Sequence, residues 1–360
     1  MLAIAVAFLV ALVIGFAAHR ASVCTVRAVG EVMGSGTGYM FFSILKSIFW
    51  VTVITVPVFF LVQDSAAGIK GWSLTAGAVA GGFIFGAGAG INGACAYSTM
   101  ARLVDGEGRM LVTVVAFGLG VGIFVLFLGG DLTQRPVQVP AMMGALAGWA
   151  PIVAGIVILV ALFEAVRLWR TRPKETGLVS LIVAPRYRLS TAAMLVGLAG
   201  ALTFLLSGPS GYSSTFELII EATFGTRPWP NIARWTILVA VLIGMLISTL
   251  QRGTFRLDLA PRRAWARNVV GGILMGFGVA LTPGGNDALV LYGIPTISPH
   301  ALPAYLAMAV GIVVALLLMR LLFSIETRVE CRNDLYVSDT GLGSRPWRAG
   351  NEPKKLPRVE

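Results

Sequence analysis

Two thiols and a carboxylate sit in polar interruptions of an otherwise apolar chain. Cys95 lies in the turn Ile91-Asn92-Gly93-Ala94-Cys95-Ala96-Tyr97-Ser98, and Cys24 closes His19-Arg20-Ala21-Ser22-Val23-Cys24. Asp287 lies in Leu281-Thr282-Pro283-Gly284-Gly285-Asn286-Asp287-Ala288. A helix starting near Ala94 would aim free backbone N–H groups, and the positive end of its dipole, into the turn, an arrangement that draws anions. Cys95 would add a weak S–H donor at the same spot. A free cysteine is also a common small buried hydrophobe; a glycine-containing break at membrane depth is what favours a role in handling a ligand. Cys24 reads either as a second thiol on that route, nearer the cytoplasm, or as an incidental loop cysteine.

The breaks come in a repeated frame. Gly81-Gly82-Phe83-Ile84-Phe85-Gly86-Ala87-Gly88 returns as Gly271-Gly272-Ile273-Leu274-Met275-Gly276-Phe277-Gly278, and each copy leads into one of the turns, so that Cys95 aligns with Gly285. Duplicated halves with interrupted apolar segments at matching places point to a transporter's binding site. The expected substrate path is therefore Cys24, Asn92, Gly93, Cys95, Gly285, Asn286 and Asp287. Asp287 either takes part in function, by binding a coupling proton or orienting a half-helix, or is a plain helix cap. His300 caps the last span or titrates. Lys46, inside a span, needs a partner or a cavity unless its stem carries the charge to the surface. Arg20 follows from membrane topology or helps form an electrostatic exit funnel.

The elements that position these groups are membrane helices. The chain of 360 residues is 56% hydrophobic and 12% charged, against about 25% charged in an average globular protein. Continuous apolar runs such as 111–128 lack the alternation of a β-barrel. The expectation is an all-α polytopic membrane protein of about nine transmembrane helices plus broken or re-entrant half-helices. Three cysteines make no disulfide framework, no His/Cys cluster marks a metal site, and no cofactor motif is present. The chain lacks a Walker loop, a nucleophile elbow and an HExxH helix, which argues against an enzyme. Residues 1–18 read as the first span and not as a cleaved signal.

The net charge of +11 is explained by topology and not by nucleic acid. With the N-terminus outside, segments 19–38, 102–110, 167–190, 251–267 and 320–360 are cytoplasmic and hold 23 of the 28 Lys and Arg. Outside loops keep Lys70, Arg135, Arg227 and Arg234. This predicts an inverted-topology repeat: a first half at 1–140, a linking helix and basic loop at 141–190, and a second half at 191–323. Residues 324–360 are expected to form a flexible cytoplasmic tail, with Cys331 incidental.

Arg20-Ala21-Ser22-Val23-Cys24, Asn92-Gly93-Ala94-Cys95-Ala96-Tyr97-Ser98, and Pro283-Gly284-Gly285-Asn286-Asp287 leading to Ile294-Pro295 and Ser298-Pro299-His300-Ala301 resemble the YeeE/YedE family over nearly the whole chain except the tail. The resemblance implies an importer of thiosulfate, or a related small sulfur-containing anion, in the bacterial inner membrane. It also implies an hourglass-like central path along which cysteine thiols, here Cys24 and Cys95, pass the anion inward, and a cytoplasmic TusA-like sulfur carrier as partner. Family members using this mechanism carry a further cysteine in the second-half break, where this chain has Gly285-Asn286-Asp287, so a different small anion is an alternative substrate. Because thiosulfate is a dianion, Cys95 is expected to act as a neutral donor. Two other readings compete: a membrane sulfurtransferase forming a persulfide on Cys95, and a scaffold recruiting a sulfur enzyme. The oligomeric state is not legible, since glycine-rich spans serve close packing within a monomer or between copies.

Overall fold

In hydrocarbon every backbone polar group must be bonded within its own segment or its neighbours, so apolar runs of this length fold as helices. The computed structural model describes residues 2–61, 70–128, 136–138, 149–171, 182, 184–209, 211–259 and 264–343. Six helices come first: α1 (Leu2–Ala21), α2 (Thr25–Gly34), α3 (Tyr39–Leu61), α4 (Ala76–Asn92), α5 (Ala96–Val104) and α6 (Arg109–Leu128). A single helix, α7 (Ala150–Arg170), follows. Six more then repeat the long-short-long-long-short-long order: α8 (Leu189–Ser207), α9 (Tyr212–Thr223), α10 (Ile232–Arg252), α11 (Ala264–Leu281), α12 (Asn286–Ala288, continued as a π-turn at Leu289–Gly293) and α13 (Ala301–Phe323). Two short antiparallel pairs, β1 (Lys70–Trp72) with β2 (Pro136–Gln138) and β3 (Arg328–Arg332) with β4 (Leu335–Thr340), complete the described chain.

Eight helical stretches among the described residues are long and apolar enough to cross a bilayer. The pair Trp265–Leu281 and Asn286–Gly293, bent by 44°, makes a ninth if it counts as one span. The outer surface is correspondingly apolar, with Phe127, Phe163 and Leu321 projecting outward.

Packing follows the repeated order. α1 lies on α10 as α8 lies on α3, α4 lies on α13 as α11 lies on α6, and α1 meets α8 as α4 meets α11. Small residues permit these approaches, as in membrane helices generally. A Cβ on Gly15 would run into the Val241 carbonyl, and one on Gly244 into the Leu12 carbonyl. The two glycine motifs of the sequence repeat meet each other: Gly81 lies against Gly278, and Gly88 against Gly271. α7 stands apart with its apolar face outward and is tied to α3 by Lys46 Nζ and Glu164 Oε1 at 3.0 Å.

Two segments differ from the sequence expectation. The stretch 19–38 is not an irregular loop, because α1 runs on to Ala21 and α2 is a short helix whose Val26, Ala28 and Val29 are buried. Residues 324–360 are not wholly a flexible tail. Asn333 and Asp334, at φ 49° and 65°, form the left-handed turn that closes a β-hairpin. That hairpin buries Val329 and Cys331 on its inner face, and Leu342 follows buried. It packs against α2, where Gly30 and Gly34 leave room for Thr327, Arg328 and Val329. Burial, with nearby Glu31, pushes the Cys331 thiol up to about 12, so it stays protonated at neutral pH. Arg135, the boundary at 140 and the chain beyond 343 lie outside the described residues.

Candidate functional site

Each short helix starts at a break, and each break supplies a residue with extended or polyproline-like backbone as its N-cap. These caps are Cys24 for α2, Cys95 for α5, Gly211 for α9 and Gly285 for α12. Gly93, at φ 76°, ends α4 in the left-handed conformation that glycine adopts without strain, and a Cβ there would also meet the Leu342 carbonyl at 2.5 Å.

Cys24 and Cys95 are buried, and their side chains lie against each other. The Cys24 sulfur also faces the backbone N–H groups of Arg27 and Cys95, and the Cys95 sulfur those of Ser98 and Thr25. These contacts are too loosely aligned to count as cap hydrogen bonds. Each thiol therefore sits at the first turn of its own helix and of the opposite one, where two positive dipole ends meet. Both sulfurs lie within the buried core, beside the starts of the two short helices. Cys24 is not a loop cysteine at the surface, because the helical fold of 25–34 draws it inward.

Tyr97, Tyr212 and Tyr305 surround the pair. Tyr97 donates to the carbonyls of Ile14 (3.2 Å) and Gly15 (3.1 Å) and meets the Tyr212 ring edge-on at 5.4 Å between centroids. The Tyr212 hydroxyl is buried and has no hydrogen-bond partner. Tyr305 lies beside Thr25. Tyr97 and Tyr212 lie within electrostatic reach of both Cys95 and Asp287.

In the second break the chemistry changes. Asp287 is buried and accepts hydrogen bonds from the Ser213 hydroxyl and, at 3.1 Å, from the Ser213 N–H. The Gly285 N–H donates to the same hydroxyl at 3.2 Å. Asn286 is buried with its Oδ1 unpartnered. Beyond this knot lies a cavity of about 680 Å³ between α9, α10, the π-turn and the approach to α13. Glu217, Glu221, Arg227, Arg234 and His300 line it.

The other expected site residues fall into place differently. Asn92 is fully engaged: it donates to the Ala94 carbonyl (2.9 Å) and Thr99 (3.0 Å), and accepts from Thr113 (2.8 Å) and Asn268 (2.6 Å). It locks the break in shape and has no valence left for substrate. Lys46 neither snorkels nor faces the path, because Glu164 pairs with it and Ser190 accepts from it at 2.6 Å. Arg20 is a buried strut and not part of a funnel: it donates to Ser248 (3.1 Å), Gln251 (2.6 Å) and the Ala184 carbonyl, with its guanidinium 4.7 Å from the Phe16 ring centre. His300 makes no side-chain cap hydrogen bond; its Nδ1 pairs with Ser298 Oγ at 2.9 Å, and its Nε2 is buried without a hydrogen bond.

Beneath the thiols the β3–β4 hairpin covers α2. Arg27 Nε donates to Asp339 Oδ2 at 2.6 Å, Tyr336 donates to the same oxygen at 2.8 Å, and the guanidinium lies 4.7 Å from the Tyr336 ring centre. Arg102 donates to the Gly343 carbonyl at 2.8 Å and to Glu107. Nearby, burial pushes the Asp105 carboxyl up, but hydrogen bonds from His19, Thr254 and Thr249 outweigh it and hold it below its usual value.

Residues 20–314 match the family described as Sulphur transport. The chain belongs to that family. It is also similar, at 24% identity over 295 residues, to the thiosulfate transporter TsuA of Escherichia coli (strain K12), with 75% of this chain and 82% of that protein covered. A multi-pass membrane protein that transports sulfur compounds is thus the setting in which the paired thiols must be understood.

The structure sets Cys24, Cys95 and Gly285 at the starts of short helices and Asp287 against Ser213; the sequence reading named Cys24, Cys95, Gly285 and Asp287 but gave no role to Ser213, Tyr212 or Glu217. The signal was present in α9, where Glu217 and Glu221 stand four residues apart, on one helix face, at the end of the apolar stretch Leu189–Thr223.

Proposed function

We propose that this chain imports thiosulfate, or a related small sulfur-containing anion, across the bacterial inner membrane, and that the anion passes the Cys24–Cys95 pair. The observation that carries the reading is the thiol pair itself: two buried, adjacent cysteines, each at the start of a short helix inside a membrane-spanning stretch. S–H groups and helix N-termini together offer weak donors to an anion's oxygen and sulfur atoms, and weak sequential sites suit passage because each must release what it binds. The distribution of Lys and Arg supports an outside N-terminus and a cytoplasmic hairpin, so that the two six-helix sets are oppositely inserted halves. Covering the thiol pair from within, the hairpin offers a face on which a TusA-like sulfur carrier would receive the delivered compound.

The test is uptake of labelled thiosulfate into proteoliposomes by wild type, Cys95→Ala and Cys24→Ala. We expect uptake to fall at least tenfold in each variant while both stay folded. Wild-type-like uptake in both would remove the thiols from the path. Sulfite release without net uptake would instead mark persulfide chemistry on Cys95, and an inert, folded wild type would point to another small anion.

A further inference from the structure

The cavity above the second break holds a charge arrangement that transport of an anion alone does not explain. Glu217 and Glu221 stand on one face of α9, both buried, and both line the cavity. Glu221 is paired with Arg227 at 3.3 Å. Glu217 is only 5% exposed and has neither an ion pair nor a hydrogen bond among the described residues. Across the cavity Arg234 makes no ion pair among those residues and lies within electrostatic reach of Glu217 and Arg227. The rest of the titratable lining is Tyr292 and His300, with Asp287 outside the lining but within electrostatic reach of Glu217. A second feature lies in the same lining: His300, 2% exposed, has a buried Nε2 that makes no hydrogen bond, with the Pro283 and Trp72 backbone near its ring.

An ionised carboxylate this deeply buried without a partner is costly, and an incoming anion raises the cost by repulsion. With Glu217 ionised, the two glutamates cancel the two arginines and the cavity has no net attraction for an anion. With Glu217 protonated, the lining carries one net positive charge. An anion and a proton therefore favour each other's binding, which is the thermodynamic basis of coupling between two ligands.

We propose that this cavity binds an anion together with a proton, the anion between Arg227 and Arg234 and the proton on Glu217, so that the protein is a proton–anion symporter. The proton is taken from the outer solution onto a Glu217 carboxyl oxygen as the anion enters, and it is released on the inner side as the anion leaves. No bond other than this O–H forms or breaks. The inference rests on the importer reading and names its driving ion.

The experiment uses the full chain in proteoliposomes, with the membrane potential clamped by potassium and valinomycin and a pH dye inside. Labelled thiosulfate is the probe, and its steady-state accumulation is measured against the imposed pH difference. For one proton per anion, wild type accumulates about tenfold more thiosulfate per unit of inward proton gradient. Addition of thiosulfate also acidifies the lumen. In Glu217→Gln the accumulation ratio no longer follows the gradient and the acidification disappears. Wild-type accumulation that ignores the gradient, with no acidification, overturns the symport proposal while leaving the importer reading intact. Absence of thiosulfate uptake by folded wild type at every pH overturns both. Because the wild-type arm stands alone, a poorly folded variant does not remove the test.

Discussion

Gly285→Ala places a methyl group where Ser213 already is. An added Cβ would lie 2.5 Å from Ser213 Oγ, 2.9 Å from Ser213 Cβ and 3.3 Å from Asp287 Oδ1, so Ser213 must move. Moving it breaks the hydroxyl's bonds to the Asp287 carboxylate and to the Gly285 N–H. Forced repacking of this kind costs roughly 1–3 kcal/mol, and losing a hydrogen bond to a buried charged group costs roughly 1.5–3 kcal/mol. Gly285→Ala should therefore destabilise the protein by about 3–5 kcal/mol, allowing for partial relaxation. In a Ser213→Gly background the obstacle is gone, and the same substitution should cost less than about 1 kcal/mol. Equilibrium unfolding in detergent, followed by tryptophan fluorescence for wild type, both single variants and the double variant, measures the coupling. If Gly285→Ala alone stays within about 0.5 kcal/mol of wild type, the steric account is wrong. The same geometry bears on substrate chemistry, since a cysteine at 285 needs the same Cβ. This turn cannot take a thiol at 285 without giving up the Ser213–Asp287 knot.

Two further outcomes follow from the inner face. Asp339→Asn leaves the Arg27 guanidinium, 11% exposed at its side chain, without its counter-charge, and should cost about 3–5 kcal/mol in hairpin docking; proteolysis within 328–343 should speed up accordingly, whereas replacing both partners with apolar residues should restore most of the protection. Unchanged proteolysis of Asp339→Asn would show that the pair does not hold the hairpin. Asp105 has a folded value below its unfolded one, so its hydrogen bonds add stability above about pH 4 that is lost as pH falls through the lower, folded value. Asp105→Asn should therefore destabilise the protein by about 1–2 kcal/mol at neutral pH and flatten the acid limb of stability measured against pH; an unaltered limb would exclude this carboxyl as a contributor.

The span count, the broken segments and the thiol in the first break were legible because length, hydropathy and glycine placement are local properties. The segment 25–34 was misread for a related reason. Its residues are too few and too mixed in polarity to signal a membrane helix, and it folds inside because α13 and the hairpin supply the walls. Lys46 shows the opposite limit. Sequence says that a cation in a span needs a partner, but nothing in the chain says that Glu164, far away in sequence, is that partner. The hairpin was hidden by its charge, since alternation at 328–332 and the Asn333-Asp334 turn were present but lay in a stretch whose composition resembles disorder.

What the two breaks share is backbone, and what separates them is the atom at the cap. In one, a side chain with an S–H donor stands at each of two helix starts. In the other, both caps are glycines, and the polar function has moved to a carboxylate and a hydroxyl that satisfy each other. A dianion that is welcome between two thiols and two dipole ends gains nothing from an ionised Asp287. On the import reading, the second break is therefore the place where the anion's charge must be managed. The cavity lined by Arg227, Arg234 and Glu217 opens on that side of the molecule. On the proposals above, selectivity for sulfur would belong to the thiol pair and energy coupling to the carboxylate side, so that the change from Cys95 to Gly285 at matching positions would let one frame hold both tasks.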